Sequence, residues 1–269
     1  MAVSTEAVLN KIIEQISAID RVKAIGITGS KSPLPKAGEG DIDVFIYCDE
    51  IPELQKRREV VNQMGEMLQG QEFEVFKGGH WGTGDMVLIN GVETWLMYST
   101  MEETLKDIDS ILKGEYPDKL DNYYYPIGRC AMLKNIIILH EKNGFLTSLR
   151  EKLSIYPEDL VQKLTDYHSE QLEDIEDLER AVSRKDVLFY HSAMDLAIDH
   201  FLQALFAMNK TFFPSRKRTI SYINGFASKP DNCSERLLEV VRLGSYADGV
   251  ADSYRLWCEL VGELKKHLC

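Results

Sequence analysis

The sequence predicts an α/β chain of the α+β kind: a sheet with helices on it, then an all-helical C-terminal domain. Three observations carry this reading. Strand and helix patterns interleave through the first part of the chain, a firm hairpin signal sits at Asn90-Gly91, and strand signals fade from Asp121 onward. Interleaved strands and helices bury their apolar sides by packing helices onto a sheet. At 269 residues the chain is long enough for two domains of ordinary size, divided as 1–120 and 121–269.

The elements follow in order. An amphipathic helix is expected over 4–18; it carries Glu6, Lys11 and Glu14 and lacks the apolar centre of a signal peptide. Strands are expected over 22–28 and 41–48, a helix over 52–68, strands over 71–77, 84–90 and 92–98, and a helix over 101–112. Asn90-Gly91 tolerates positive φ at both turn positions, which suits a two-residue hairpin. The polar segment 116–126 reads as the hinge. Beyond it, 129–140, 145–155, 158–183, 186–208, 233–243 and 245–268 read as helices. Pro157 fits the first turn of its helix, with Glu158 and Asp159 complementing the dipole. Between Val187 and Met208 nearly every position is apolar, the pattern of a buried helix. Its polar residues His191, Asp195, Asp199 and Gln203 recur every four positions as one stripe. That stripe is either a set of satisfied buried groups or a cleft-facing surface where Asp195 or Asp199 binds a cationic acceptor.

Composition excludes several classes of function. With 31 basic and 43 acidic residues the net charge is −12, which weighs against a nucleic-acid substrate. Polyanion binding draws on Lys and Arg to neutralise phosphates. A small acceptor fits better, and a cationic one suits the charge. No apolar stretch approaches the ~18 residues of a membrane span. Cys48, Cys130, Cys233, Cys258 and Cys269 are scattered, without C-x-x-C spacing, so neither a zinc site nor a disulfide framework is expected. A reducing cytoplasm is the natural location.

The chemistry concentrates near the N-terminus. Gly26-Ile27-Thr28-Gly29-Ser30 ends one apolar strand, and Asp41-Ile42-Asp43-Val44-Phe45-Ile46-Tyr47 opens the next. Period-two alternation puts Asp41 and Asp43 on one face and Ile42 and Val44 on the other. Two like charges about 5 Å apart repel by roughly 3 kcal/mol at an effective dielectric of about 20, which a cation would relieve. The Gly29-Ser30 turn can bring backbone N–H groups and a hydroxyl close to phosphate. Asp41 and Asp43 suit Mg²⁺, a hard cation that takes one or two carboxylates plus substrate phosphates.

This constellation resembles the nucleotidyltransferase superfamily that contains the antibiotic nucleotidyltransferases and DNA polymerase beta. The shared signature is a strand ending in Gly-Ser, a loop, Asp-x-Asp on a strand, and a third acidic residue on a later strand. Gly29, Ser30, Asp41 and Asp43 match it in order. The resemblance implies a mixed sheet flanked by helices, two Mg²⁺ ions and a nucleoside triphosphate. It further implies transfer of AMP from ATP to a hydroxyl of a small molecule, an antibiotic being the best-known acceptor, with pyrophosphate released. Glu93 is the candidate third acid, as general base or shared metal ligand, with Asp85 as its rival. His80 and Trp81 lie on a glycine-rich loop suited to wrapping a ligand.

The second half carries its own resemblance. Leu139-His140-Glu141-Lys142-Asn143-Gly144, Tyr156-Pro157 and the run from Phe206 to Arg218 look like the C-terminal domain of bacterial nucleotidyltransferases of unassigned substrate. These are similar in organisation to streptomycin- and lincosamide-modifying enzymes. In such relatives a basic residue of the helical domain reaches the triphosphate. Lys217 is the first candidate here, with Arg216 and Arg218 behind it, and Tyr222 is a candidate to stack near the base. Two alternatives stand beside the transferase. One is an RNase or toxin–antitoxin component of the HEPN kind, for which Arg184 and His191 have the loose spacing. The other is a nucleotide-binding sensor without catalysis. A homodimer is compatible with either.

Overall fold

The computed structural model describes residues 3–29, 34–115, 125–173 and 175–268. The chain forms two compact units, Met1–Ser110 with Met132–Ile155, and Ile111–Ala131 with Tyr156–Cys269.

The first unit is built on a six-stranded sheet. It begins with α1 (Thr5–Ser17), whose N-cap Ser4 accepts a 3.2 Å hydrogen bond from the Ala7 N–H at its Oγ. Then come β1 (Val22–Ile27), β2 (Ile42–Cys48), α2 (Leu54–Asn62), β3 (Gly70–Lys77), β4 (Thr83–Ile89), β5 (Val92–Thr100) and α3 (Met101–Leu112). After α4 (Pro126–Lys134), strand β6 (Ile137–Glu141) and α5 (Phe145–Lys152) complete it. The sheet order is β3-β4-β5-β2-β1-β6. Strands β2 and β5 run parallel, while the other four pairings are antiparallel, so the sheet is mixed.

Alternation assigns the two faces. Ile42, Val44, Ile46 and Cys48 of β2 point toward α1, whose Val8, Leu9, Ile12, Ile13 and Ile16 join them in the core with Val87, Ile89, Leu96 and Tyr98. Asp43, Phe45 and Tyr47 face the other way. This is the face on which the candidate site lies.

Two expectations need correcting here. The segment 129–140 is not one helix: α4 stops at Lys134 and β6 follows, pairing antiparallel with β1. Ile136-Ile137-Ile138 is a run of β-branched residues, which lose side-chain freedom in a helix and fit a pleated sheet. Gly26 of β1 makes the docking possible, because a Cβ there would sit 2.6 Å from the Ile136 Cδ1. Helix α2 also ends early, at Asn62, ahead of Gly65 at a φ of 53°.

The second unit is helical: α6 (Glu158–Gln171), α7 (Glu176–Arg184), α8 (Val187–Met208), α9 (Thr219–Gly225), α10 (Cys233–Gly244) and α11 (Val250–Leu268). The single helix expected over 158–183 is two. A continuous helix would stack the like charges of Glu170, Glu173 and Asp177 at three- and four-residue spacing, which destabilises it. Helix α8 is central, capped by Asp186, whose Oδ1 accepts from the Phe189 N–H at 3.1 Å. Its Phe201 packs against buried Trp257 at 5.4 Å, and its Phe206 against Phe213, Tyr222 and Phe226. Among the described residues, no helix is long and apolar enough to cross a membrane.

Candidate functional site

Strand register fixes the neighbours of each carboxylate. β2 and β5 pair Ile42 with Thr94, Asp43 with Trp95 and Phe45 with Met97. Paired residues of parallel strands share a face, so Asp43 and Trp95 stand side by side, with Glu93 one position earlier on that face and Asp41 just ahead of β2. β4 continues these rows, opposing Glu93 with Leu88, Trp95 with Met86 and Met97 with Gly84. Asp41 and Glu93 are exposed and Asp43 is half-buried.

On the other flank of β2, β1 ends beside Asp43. The Thr28 N–H donates to the Asp43 carbonyl at 3.4 Å, and Gly29 follows at a φ of 91°. A Cβ on Gly29 would meet nothing within 4 Å. That position therefore favours glycine for its backbone conformation, not for lack of space. Ser30 lies outside the described residues.

Asp43 and Glu93 thus share one face at one end of β2 and β5, and Asp41 lies at that same end, just before β2. Their side chains are not drawn together: among the described residues, no group of three or more His, Cys, Asp and Glu is arranged to hold a metal ion. The donor set is all hard oxygen, which matches Mg²⁺ in type.

Asp85, the rival to Glu93, belongs to the opposite face. It is fully buried and ion-paired with Arg57, itself 2% exposed. The same Oδ1 accepts the Glu74 N–H at 2.9 Å. Arg57 also donates to the Pro52 carbonyl at 3.0 Å and to Glu74 Oε1 at 2.9 Å, and lies over the Tyr98 ring. This network fastens α2 to the bulge in β3, where Glu74 has a φ of 54°. Asp85 is a structural carboxylate.

The glycine-rich loop turns back over the candidate face. Gly78, Gly79 and Gly82 all have positive φ, and a Cβ on Gly82 would collide with the Tyr98 carbonyl. Trp81 meets Phe45 at 6.0 Å between ring centroids, and Phe76 meets Trp95 at 5.9 Å. Gly84 leaves room for the Phe76 ring, which a Cβ there would penetrate. The His80 side chain lies outside the described residues. The register of β2 and β5 adds Trp95 to Trp81 as an aromatic residue of this face.

In the helical unit, the Asp195 and Asp199 pair already has its cation. Arg216 donates from Nε to Asp199 Oδ1 at 2.6 Å and is ion-paired with Asp195. The Tyr125 hydroxyl donates to Asp199 Oδ2 at 2.7 Å, and burial, then that bond, push its pKa up so that it stays a donor. The cationic-acceptor reading of this stripe gives way to an internal ion cluster. It anchors the loop in which exposed Lys217 donates its backbone N–H to Ser215 Oγ at 3.2 Å. Tyr222 packs its ring on Phe206 at 5.4 Å. Arg184 closes α7 while His191 lies in α8, so the two sit on separate helices. Deeper in, His168 and His200 face each other with Nδ1 atoms 2.9 Å apart. Burial, reinforced by His200, pushes the His168 pKa down to about 3.

Comparison with known proteins agrees with this geometry at the level of fold. A family model described as "Domain of unknown function (DUF4037)" matches residues 125–218, less than half of the chain. No curated protein matches the sequence. A nucleotidyltransferase-like protein from Exiguobacterium sibiricum has a similar crystal structure. It aligns with a TM-score of 0.51 and 12% identity over 98% of this chain and 78% of that one. At that identity the likeness carries the fold alone: the protein has a nucleotidyltransferase-like fold, with a mixed sheet followed by a largely helical C-terminal region.

Proposed function

We propose that the protein is a Mg²⁺-dependent nucleotidyltransferase that moves AMP from ATP onto a hydroxyl of a small molecule and releases pyrophosphate. The observation that carries this reading is the shared face of Asp43 and Glu93 on β2 and β5, with Asp41 just before β2 and the Gly29 turn of β1 beside it. The nucleotidyltransferase-like fold supports it. In this reading the unit built on the six-stranded sheet, which takes in Met132–Ile155 as well, is the nucleotidyltransferase domain, and the helical unit is its partner.

Each residue then has a role that its chemistry permits. The Gly29-Ser30 turn binds the β- and γ-phosphates through backbone N–H groups and the serine hydroxyl. Asp41 and Asp43 would hold Mg²⁺. When bound, the ions neutralise charge on the triphosphate and lower the pKa of the acceptor hydroxyl. Glu93 accepts the proton of that hydroxyl. A bond forms from the acceptor oxygen to the α-phosphorus while the bond to the bridging oxygen of pyrophosphate breaks. Positioning and charge neutralisation do most of the work in such transfers.

Incubation with α-labelled ATP, Mg²⁺ and a panel of hydroxylated acceptors, antibiotics included, tests the proposal. A labelled product that disappears in Glu93→Gln, with nucleotide affinity retained, is the expected result. Absence of labelled product across the panel despite nucleotide binding would overturn transfer. One observation favours a second reading, a nucleotide sensor: the residue beside Asp43 on β5 is Trp95, and no three-carboxylate cluster is gathered among the described residues. Mg²⁺-dependent binding without turnover would select it.

A further inference from the structure

The face that carries the candidate carboxylates continues as an aromatic surface over β5, β4 and β3. Across the strands, one row runs Asp43, Trp95, Met86, Glu72, and the next runs Phe45, Met97, Gly84, Phe76. Phe45 and Met97 are buried, at 6% and 5% exposure, whereas Trp81, Trp95 and Phe76 keep part of their rings accessible. Two glycines fix the arrangement: Gly84 lets Phe76 lie against the sheet, and Gly82 lets the Trp81 loop approach β5. Aromatic rings held half-open beside a set of carboxylates form a surface suited to a planar apolar body.

Strand order says which component of the reaction meets this surface. Attacking and leaving oxygens stand roughly in line on opposite sides of the transferred phosphorus. A pyrophosphate held by the Gly29 turn leaves on the β1 side of β2. The attacking hydroxyl therefore comes from the β5 side, where Glu93 and Trp95 stand. Glu72 is exposed at the far end of the same row, two strand spacings or about 10 Å from Trp95. An anionic group there complements a cation on the distal end of the acceptor.

Resting on the proposed transferase reading, we propose that the β5–β4–β3 surface is the acceptor site, and that it takes a planar hydroxylated ring carrying a cationic tail. The hydroxyl lies toward Glu93, the ring on Trp95 beside Phe76, and the cation toward Glu72. A polycationic sugar without a flat face fits this surface poorly.

The test uses ¹⁹F NMR on the full chain labelled with 5-fluorotryptophan, with tyramine as probe and kanamycin as the non-planar polycation. Three resonances are expected, from Trp81, Trp95 and Trp257, assigned by single Trp→Phe variants. Tyramine should shift the Trp95 and Trp81 signals and leave that of Trp257, buried in the helical unit. Trp95→Ala should weaken tyramine binding about tenfold, and Trp95→Phe, which keeps a ring, much less. Affinity for a non-hydrolysable ATP analogue with Mg²⁺ should be unchanged in both variants, which also controls for folding. Three results would overturn the site: no shift with tyramine, equal shifts with kanamycin, or a Trp95 shift caused by the analogue alone and unaffected by tyramine. Loss of analogue binding in the wild-type protein, with the tyramine shifts intact, would instead remove the transferase reading and leave the ring-binding surface standing.

Discussion

The two faces of the sheet are made by the same strands and treat a carboxylate in opposite ways. On the α1 side, Asp85 is fully buried and held by Arg57 and the Glu74 N–H. On the other side, Asp41 and Glu93 are exposed at the strand ends and Asp43 is half-buried beside Trp95. A charge buried in the interior needs a fixed partner, because desolvation is otherwise prohibitive. A charge exposed at a solvent edge, as on Asp41 and Glu93, carries no such desolvation cost. The facing direction of a strand residue, more than its type, separates the structural acid from the candidate ligand.

The comparison can be broken most forcefully on the buried side. Arg57→Ala leaves Asp85 uncompensated and should destabilise the protein by about 3–5 kcal/mol, read from urea unfolding. The double variant Arg57→Met, Asp85→Leu should recover much of that loss, since a buried ion pair is often matched by apolar residues of similar volume. An unchanged midpoint in Arg57→Ala would mean the pair is not the staple described here.

A smaller effect sets the sheet unit against the helical one, which buries a pair of histidines instead of a carboxylate and a guanidinium. His168 has its pKa lowered to about 3 in the folded protein, from an ordinary value of 6.5. Below the ordinary value the unfolded chain takes up the proton first. Stability from this residue is therefore complete above that pH and falls as pH drops toward the folded value, by up to about 1.4 kcal/mol per pH unit. Urea midpoints between pH 7 and pH 4 measure this. A His168→Leu variant with an equally steep profile would assign the acid sensitivity elsewhere.

The smallest stability change should come from the exposed face. Asp43→Asn is expected to alter unfolding free energy by less than about 1 kcal/mol, because it removes like-charge repulsion without opening a cavity. A loss comparable to that of Arg57→Ala would make Asp43 a structural residue like Asp85.

Much of this was legible in the sequence. Period-two patterning and the Asn90-Gly91 turn located the central strands, and Gly29 with Asp41 and Asp43 pointed to the end of the sheet proposed as the site. The Ile136-Ile137-Ile138 strand was missed because a short apolar run next to a helical pattern has no distinct period, and only its β-branched composition gives it away. The Asp195 and Asp199 stripe was legible as a stripe, but local sequence could not choose the satisfied reading over the open one, since its cation, Arg216, arrives from a loop 17 residues after Asp199. Alternation alone puts Trp95 on the face of Glu93, but its place beside Asp43 depends on the parallel pairing of β2 and β5, which local sequence does not encode.

The central claim is that the Asp41, Asp43 and Glu93 end of the sheet binds a metal-complexed triphosphate. Titration calorimetry of the wild-type protein with a non-hydrolysable ATP analogue, with and without Mg²⁺, tests it most directly. The account predicts binding that requires Mg²⁺ and is lost in Asp43→Asn, while that variant unfolds at the wild-type midpoint. Binding that is equally strong without Mg²⁺, or undiminished in Asp43→Asn, would contradict it.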